Sequence, residues 1–113
     1  MVKKYIPEQG DIIYIDFNPT KGHEQRGKRP AVVISNNTFN IHTRMIIVCP
    51  ITSNTKMFPT HYLLTETKHV RGAVLCEHIR SIDYEERNVK FIEKASDRDL
   101  ICAMVLTNAC IEE

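Results

Sequence analysis

The chain carries almost no net charge, with 15 Lys and Arg against 14 Asp and Glu for a formal +1. Overall charge therefore recruits no partner, and any anionic ligand must be held by a local cluster. A long apolar run is also missing. Pro50 and the polar stretch Thr52 to Lys56 end the longest candidate, well short of the roughly 20 residues that span a bilayer. Residues 1–17, MVKKYIPEQGDIIYIDF, hold neither an apolar h-region nor a small-residue cleavage site. The expectation is a cytoplasmic protein that makes no use of a membrane. Cys49, Cys76, Cys102 and Cys110 form no CxxC pair, which excludes a redox motif or a zinc framework and leaves reduced thiols in apolar segments. His42, His61 and His69 likewise fall at no ligand spacing, so surface or structural roles are expected for them, with no metal and no cofactor.

What is present suits one packed domain spanning residues 1–113, because 42% hydrophobic and 26% charged residues support a core of that size. Apolar residues alternate from Gly10 to Phe17, with Ile13, Ile15 and Phe17 on one side and Asp16 on the other, the period of a half-buried strand. Pro30 opens a second strand, AVVIS, and pushes Arg29 into an extended conformation. Asn36 and Asn37 begin a single helical turn carrying Phe39 and Ile41. Met45 to Ile51 reads as a fully buried third strand, and Thr60–Leu64 and Gly72–Ile79 as two more, with Arg80 to Asp83 extending or following the last. Ser96 with Asp99 three residues later forms a capping box for a helix whose apolar face is Leu100, Ile101, Met104, Val105 and Ile111. The fold class is therefore mainly β with helices (α+β): a small, partly open antiparallel barrel, SH3-like, with a C-terminal helix packed on it.

Charge concentrates in the loop expected over residues 18–29, NPTKGHEQRGKR. Lys21, Arg26, Lys28 and Arg29 stand there against Glu24, a local excess of cations that suits a phosphate backbone. A polar loop is ordinarily just a solvated connection, but structureless connections of about this length tend to be functional. Arg29 is set apart by its position beside Pro30 and a buried strand, which anchors one planar guanidinium able to bind two phosphate oxygens at once.

The run GDIIYIDFNPTKGHEQRGKRPAVVIS resembles the N-terminal signature of the MazF/PemK/Kid family of type II toxin–antitoxin systems, in which a strand opening on Gly and an acidic residue leads to a G-x-E-Q loop and an R-P-x-x-V strand. PITSNTK is similar to the family's second site loop, and GAVLCEHIRSID to a later strand motif. The resemblance covers nearly the whole chain in the right order. It implies a sequence-specific, metal-independent endoribonuclease, an mRNA interferase, in which the RNA's own 2′-hydroxyl attacks and a 2′,3′-cyclic phosphate remains.

Carried over residue by residue, the resemblance implies that Arg29 and Thr52 centre the cleavage site, Arg29 by neutralising the developing phosphorane and Thr52 by a hydroxyl hydrogen bond. Glu24 and His23 are both open as general base. Gln25, Arg26, Lys28, Ser53, Asn54, Lys56, Glu77, His78 and Arg80 are expected to contact RNA. Glu77, His78 and Arg80 serve equally well as a solvated sheet face. Glu77 stands where the PemK/Kid branch has an aspartate, while Leu75 replaces that branch's arginine and His78 the commoner glutamine. The resemblance further implies a homodimer, single-stranded mRNA as substrate and a cognate antitoxin with an acidic disordered tail. The alternatives are a CcdB-like poison of topoisomerase, whose C-terminal tryptophan has no counterpart in a chain without Trp, and a nonenzymatic nucleic-acid-binding module.

Overall fold

Period-two apolar spacing organises the first half of the chain. The computed structural model, which describes residues 4–17, 27–56 and 58–112, contains β1 (Asp11–Asp16), β2 (Lys28–Val33), β3 (Met45–Thr52), β4 (His61–Leu63), β5 (Ala73–Leu75), β6 (Arg80–Asp83) and β7 (Lys90–Lys94). Two helices, α1 (Asn37–Thr43) and α2 (Asp97–Ala109), accompany them. The strands form one antiparallel sheet in the order β4-β5-β3-β2-β1-β7, with β6 also on β3. This is the open α+β architecture expected from the sequence.

The sheet is covered on both faces. Ile13, Ile15 and Phe17 join Ala31, Val33, Ile46, Val48, Ile82 and Tyr84 in one cluster. Ile12, on the opposite side of β1, joins Val32, Cys49, Ile51, Val74, Cys76 and Ala103 in the other. Each fully buried aliphatic side chain contributes about 1.5–3 kcal/mol, so both faces of the central strands are committed to packing and their register is fixed.

Three boundaries differ from the sequence expectation. β2 begins at Lys28 rather than Pro30, with Lys28 opposite Asp16 and Arg29 opposite Ile15, so both cations belong to the sheet rather than the loop. Pro30 is tolerated inside the strand because pairing with β3 starts one residue later, at Ala31, and the missing N–H interrupts no bond to β3. The continuous strand expected over 72–79 is broken by a 3-10 turn, Cys76–His78. Ile51 faces Val74 and Val48 faces Arg80, so three steps along β3 match six along the other chain, and the turn absorbs the surplus. β7 was not assigned from sequence; it pairs with β1 through a bulge between Ile12 and Ile13.

Helix α1 is capped by Asn36, whose side chain accepts from the Phe39 amide at 2.8 Å, and it runs for 7 residues instead of one turn. Helix α2 is capped by Ser96, which accepts from the Asp99 amide at 3.0 Å. Its inner face is only partly the apolar set read from the sequence: Leu100 packs against the core and Met104 is half-buried. The buried residues are Asp99, Ala103 and Thr107, whereas Ile101, Val105 and Ile111 are 59%, 63% and 66% exposed.

Asp99 does not complete the capping box but turns its carboxylate into the fold. There it accepts from Tyr62 Oη at 2.6 Å, from Thr65 Oγ1 at 2.9 Å and from the amides of Thr65 and Glu66. Burial opposes its ionisation, but these hydrogen bonds outweigh burial and hold its pKa below the usual range. Its contribution is therefore present above the unfolded-state value of about 3.9 and lost as pH falls through the folded value. Asp99→Ala is expected to lower stability at pH 7 by about 3 kcal/mol. Urea titrations should show that difference narrowing below about pH 4, as the unfolded chain takes up the proton before the folded carboxylate does.

Candidate functional site

Residues directly opposite in an antiparallel ladder point to the same face. Along β2 and β3 the pairs Val33–Val48 and Ala31–Pro50 run toward the end of the sheet. Two residues further along each strand, beyond the last paired residues, the same alternation puts Arg29 and Thr52 on that face, both within their strands. Across the other edge of β3, Arg80 is opposite Val48 and shares the face. Its guanidinium lies 5.5 Å from the Phe17 ring centroid and donates to the Phe17 carbonyl at 3.4 Å. Two guanidiniums and a hydroxyl thus gather on one face of the sheet, toward the ends of β1, β2 and β3. A planar cation fixed by a strand can take two oxygens of one phosphate, and the hydroxyl adds a donor.

Thr52 is held from below and from above. Its Oγ1 accepts the Asn54 amide at 3.2 Å, and Asn54 Oδ1 accepts the Lys56 amide at 3.1 Å, two side-chain turns that fold the loop back on itself. Underneath, Gly72 has φ +144, and a Cβ there would lie 2.1 Å from the Thr52 carbonyl oxygen. Only glycine fits, so the backbone of the hydroxyl is seated directly on the β4–β5 hairpin. Ser53, Asn54 and Lys56 are exposed beside it.

Thr52, Asn54, Lys56, Phe58, His61 and Leu75 enclose a cavity of about 140 Å³. His61 faces Leu75 across the β4–β5 ladder, and Leu75 shares the face of Ala73, which is opposite Thr52. His61 Nε2 is 2.9 Å from Glu77 Oε2, and His78 Nε2 is 3.9 Å from the same oxygen. Glu77 and His78 sit on the 3-10 turn rather than on a strand face. Burial opposes ionisation of Glu77, but its own backbone amide and the His61 and Thr60 side chains prevail and hold its pKa below the ordinary carboxylate value. His61, read from the sequence as a surface or structural residue, is thus part of this site. A lone histidine before an apolar pair carries no spacing signal, and only pairing of β4 with β5 reveals its neighbours.

Lys28 goes elsewhere. It alternates with Arg29 and lines a separate cavity of about 490 Å³ with Tyr14, Asp16, Glu86, Arg87 and Lys90. His23, Glu24, Gln25 and Arg26 lie outside the described residues. Among the described residues no group of three or more His, Cys, Asp or Glu could hold a metal ion, and no helix is long and apolar enough to cross a membrane.

Comparison with known proteins follows this geometry. The family described as PemK-like, MazF-like toxin of type II toxin-antitoxin system matches residues 8–104. The endoribonuclease toxin MazF of Escherichia coli (strain K12) is 40% identical over 87 residues, 77% of this chain and 78% of the relative. The endoribonuclease toxin ChpB of the same strain is 37% identical over 120 aligned residues, 99% of this chain and 100% of its own. Among solved structures, MazF of Deinococcus radiodurans superposes with a TM-score of 0.90 at 32% identity, covering 96% of this chain and 98% of that one. A MazE–MazF structure from the same organism gives 0.83 at 32% identity, covering 96% and 97%.

The seat under Thr52 yields a direct test. Gly72→Ala should displace the Thr52 carbonyl or strain the hairpin, lowering stability by about 2–4 kcal/mol. In amide NMR spectra the largest shifts should fall at Ile51–Asn54; a variant as stable as the parent with an unshifted Thr52 would refute the close approach.

Proposed function

Because the chain belongs to the PemK-like, MazF-like toxin family and is an endoribonuclease, we propose that it cuts single-stranded mRNA at a specific sequence by attack of the substrate's 2′-hydroxyl, leaving a 2′,3′-cyclic phosphate and a 5′-hydroxyl. The observation that carries this chemistry is the side-chain alternation along β2 and β3, which puts Arg29 and Thr52 on one face just beyond the last paired residues, Ala31 and Pro50. Arg29 binds the two non-bridging phosphate oxygens as they gain charge, and Thr52 Oγ1 donates to one of them or aligns the 2′-hydroxyl. Since the nucleophile is the RNA's own hydroxyl, the reaction needs no metal-activated water. Glu24 or His23 of the first loop takes the 2′-hydroxyl proton. Lys56 and Arg80 hold flanking phosphates, with Gln25, Arg26, Lys28, Ser53, Asn54, Glu77 and His78 as further RNA contacts.

Two partners complete the reading. A homodimer is supported by the apolar outer side of α2 and the residues just past it, where Ile101, Val105 and Ile111 stand exposed and a second copy would remove them from water. A cognate antitoxin, like the MazE in the Deinococcus complex, would lay an acidic disordered tail over Arg29, Lys56 and Arg80 and order on binding. The site of action proposed is the cytoplasm, where mRNA is found.

An oligoribonucleotide with a single 2′-deoxy substitution at the cut should bind as well as its parent and remain uncut in the presence of chelator. Cutting of the deoxy form would exclude the mechanism. Arg29→Ala should reduce kcat/KM by about 10²–10³, and Arg29→Lys should recover little of it because an ammonium cannot form the two-pronged contact. Val105→Glu should shift the protein to a monomer in analytical ultracentrifugation; a dimer of unchanged strength would refute pairing through α2.

A further inference from the structure

The cleavage just described provides a base for the 2′-hydroxyl but no proton donor for the 5′-oxygen that departs. Arg29 suits that task poorly, because its delocalised guanidinium releases a proton only with great reluctance. The hydroxyl of Thr52 and the amide of Asn54 are weaker acids still at neutral pH, and a lysine ammonium titrates near 10.4 in peptides. Among the residues enclosing the cavity beside Thr52, His61 alone carries an imidazole, the side chain built to give up and take back a proton in turn.

We propose that His61 is the general acid of the cleavage, delivering a proton from Nδ1 to the leaving 5′-oxygen, with Glu77 as the positioning residue that fixes the imidazole through Nε2. The inference rests on the nuclease reading above. Its geometric basis is threefold. Nε2 is committed to Glu77 at 2.9 Å, which leaves Nδ1 as the nitrogen available for chemistry. Nδ1 is the one buried side-chain nitrogen or oxygen among the described residues that has no hydrogen-bond partner, and buried polar groups are left unsatisfied only where something else accounts for them. The imidazole also forms part of the wall shared with Thr52, its ring centroid 5.3 Å from that of Phe58. In the unliganded protein Nδ1 is covered while the side chain keeps 14% exposure. Entry of a phosphodiester beside Thr52 supplies the missing partner, as catalytic hydrogen bonds commonly tighten only in the substrate complex.

The step balances. The 2′-oxygen bonds to phosphorus and its proton passes to Glu24 or His23, the P–O5′ bond breaks, and the imidazolium proton goes to O5′ to give the 5′-hydroxyl. Neutral His61 then regains a proton from water. The charged and titratable groups near the ring are Glu77 and His78 on the 3-10 turn and Lys56 on the loop after β3.

The experiment compares two oligoribonucleotides that differ only at the cut, one with the ordinary bridging 5′-oxygen and one with a bridging 5′-sulfur, whose thiolate departs without protonation. On the oxygen substrate His61→Gln should lower kcat by about 10²–10⁴, with KM little changed and the high-pH limb of the kcat profile abolished. On the sulfur substrate the same variant should approach the parent's rate. Glu77→Gln should lose less on oxygen and be rescued in the same way, which keeps the test decisive if His61→Gln folds poorly. Equal losses on both substrates, or no loss on oxygen, would overturn the assignment. A parent protein that cuts neither RNA would instead remove the nuclease reading itself.

Discussion

Strand β3 is the constraint on which the rest of the molecule depends. One of its edges pairs with β2, and the other is shared in succession by β6, along Met45–Val48, and by β5, at Ile51 and Thr52. Its side chains feed both hydrophobic clusters, Val48 and Ile46 on one face and Cys49 and Ile51 on the other. A slip of one residue would exchange those faces and turn Thr52 away from the face of Arg29. Position of the hydroxyl, packing of the core and attachment of the β4–β5 hairpin are therefore one problem with one solution, and Gly72 closes it by letting the hairpin touch the Thr52 backbone.

Much of this was legible in the sequence. Alternation placed β1, the unbroken apolar run placed β3, and Ser96 marked the start of α2. The parts that were not legible share a physical cause: their residues answer to neighbours distant in the chain. β7 has Phe91 exposed at 53%, Lys90 exposed and Lys94 paired with Asp11, so an edge strand held by β1 shows no apolar period of its own. The break at Cys76–His78 follows from pairing two strands along a single edge of β3, which no local propensity records. In α2 the inner face holds Asp99 and Thr107, and Asp99 supplies acceptors to the backbone of Thr65 and Glu66; a search for apolar spacing finds Leu100, which packs against the core, but adds the exposed Ile101 and Val105. The site divides in the same way. Arg29 and Thr52 stood out through their motifs, whereas His61 emerges only once β4 is laid against β5.

Acidic side chains do structural work on the side of the fold away from the site cations. Asp99 secures the segment after β4, and Glu93 of β7 accepts the amides of Lys68, His69 and Val70 at 2.7–2.9 Å. Burial opposes its ionisation, but the three amides dominate and hold the pKa of Glu93 below the ordinary carboxylate value. The connection between β4 and β5, rich in polar residues, is thus fastened by carboxylates standing in for absent strand partners. Asp99 and Glu93 commit their charge to backbone amides rather than to the cations of the site.

The three surplus residues of the 3-10 turn also bear on how such a chain can change over generations. An insertion or deletion inside β2 or β3 would rotate Arg29 or Thr52 to the wrong side of the sheet, and selection would remove it. At Cys76–His78 the turn already takes up a mismatch between the two strands along β3, so a change of length there can be accommodated while Arg80 and Ile82 keep their orientation. The segment carrying Glu77 and His78 is therefore the place where relatives with one scaffold can diverge in the side chains offered to a substrate, with the guanidinium and hydroxyl left undisturbed.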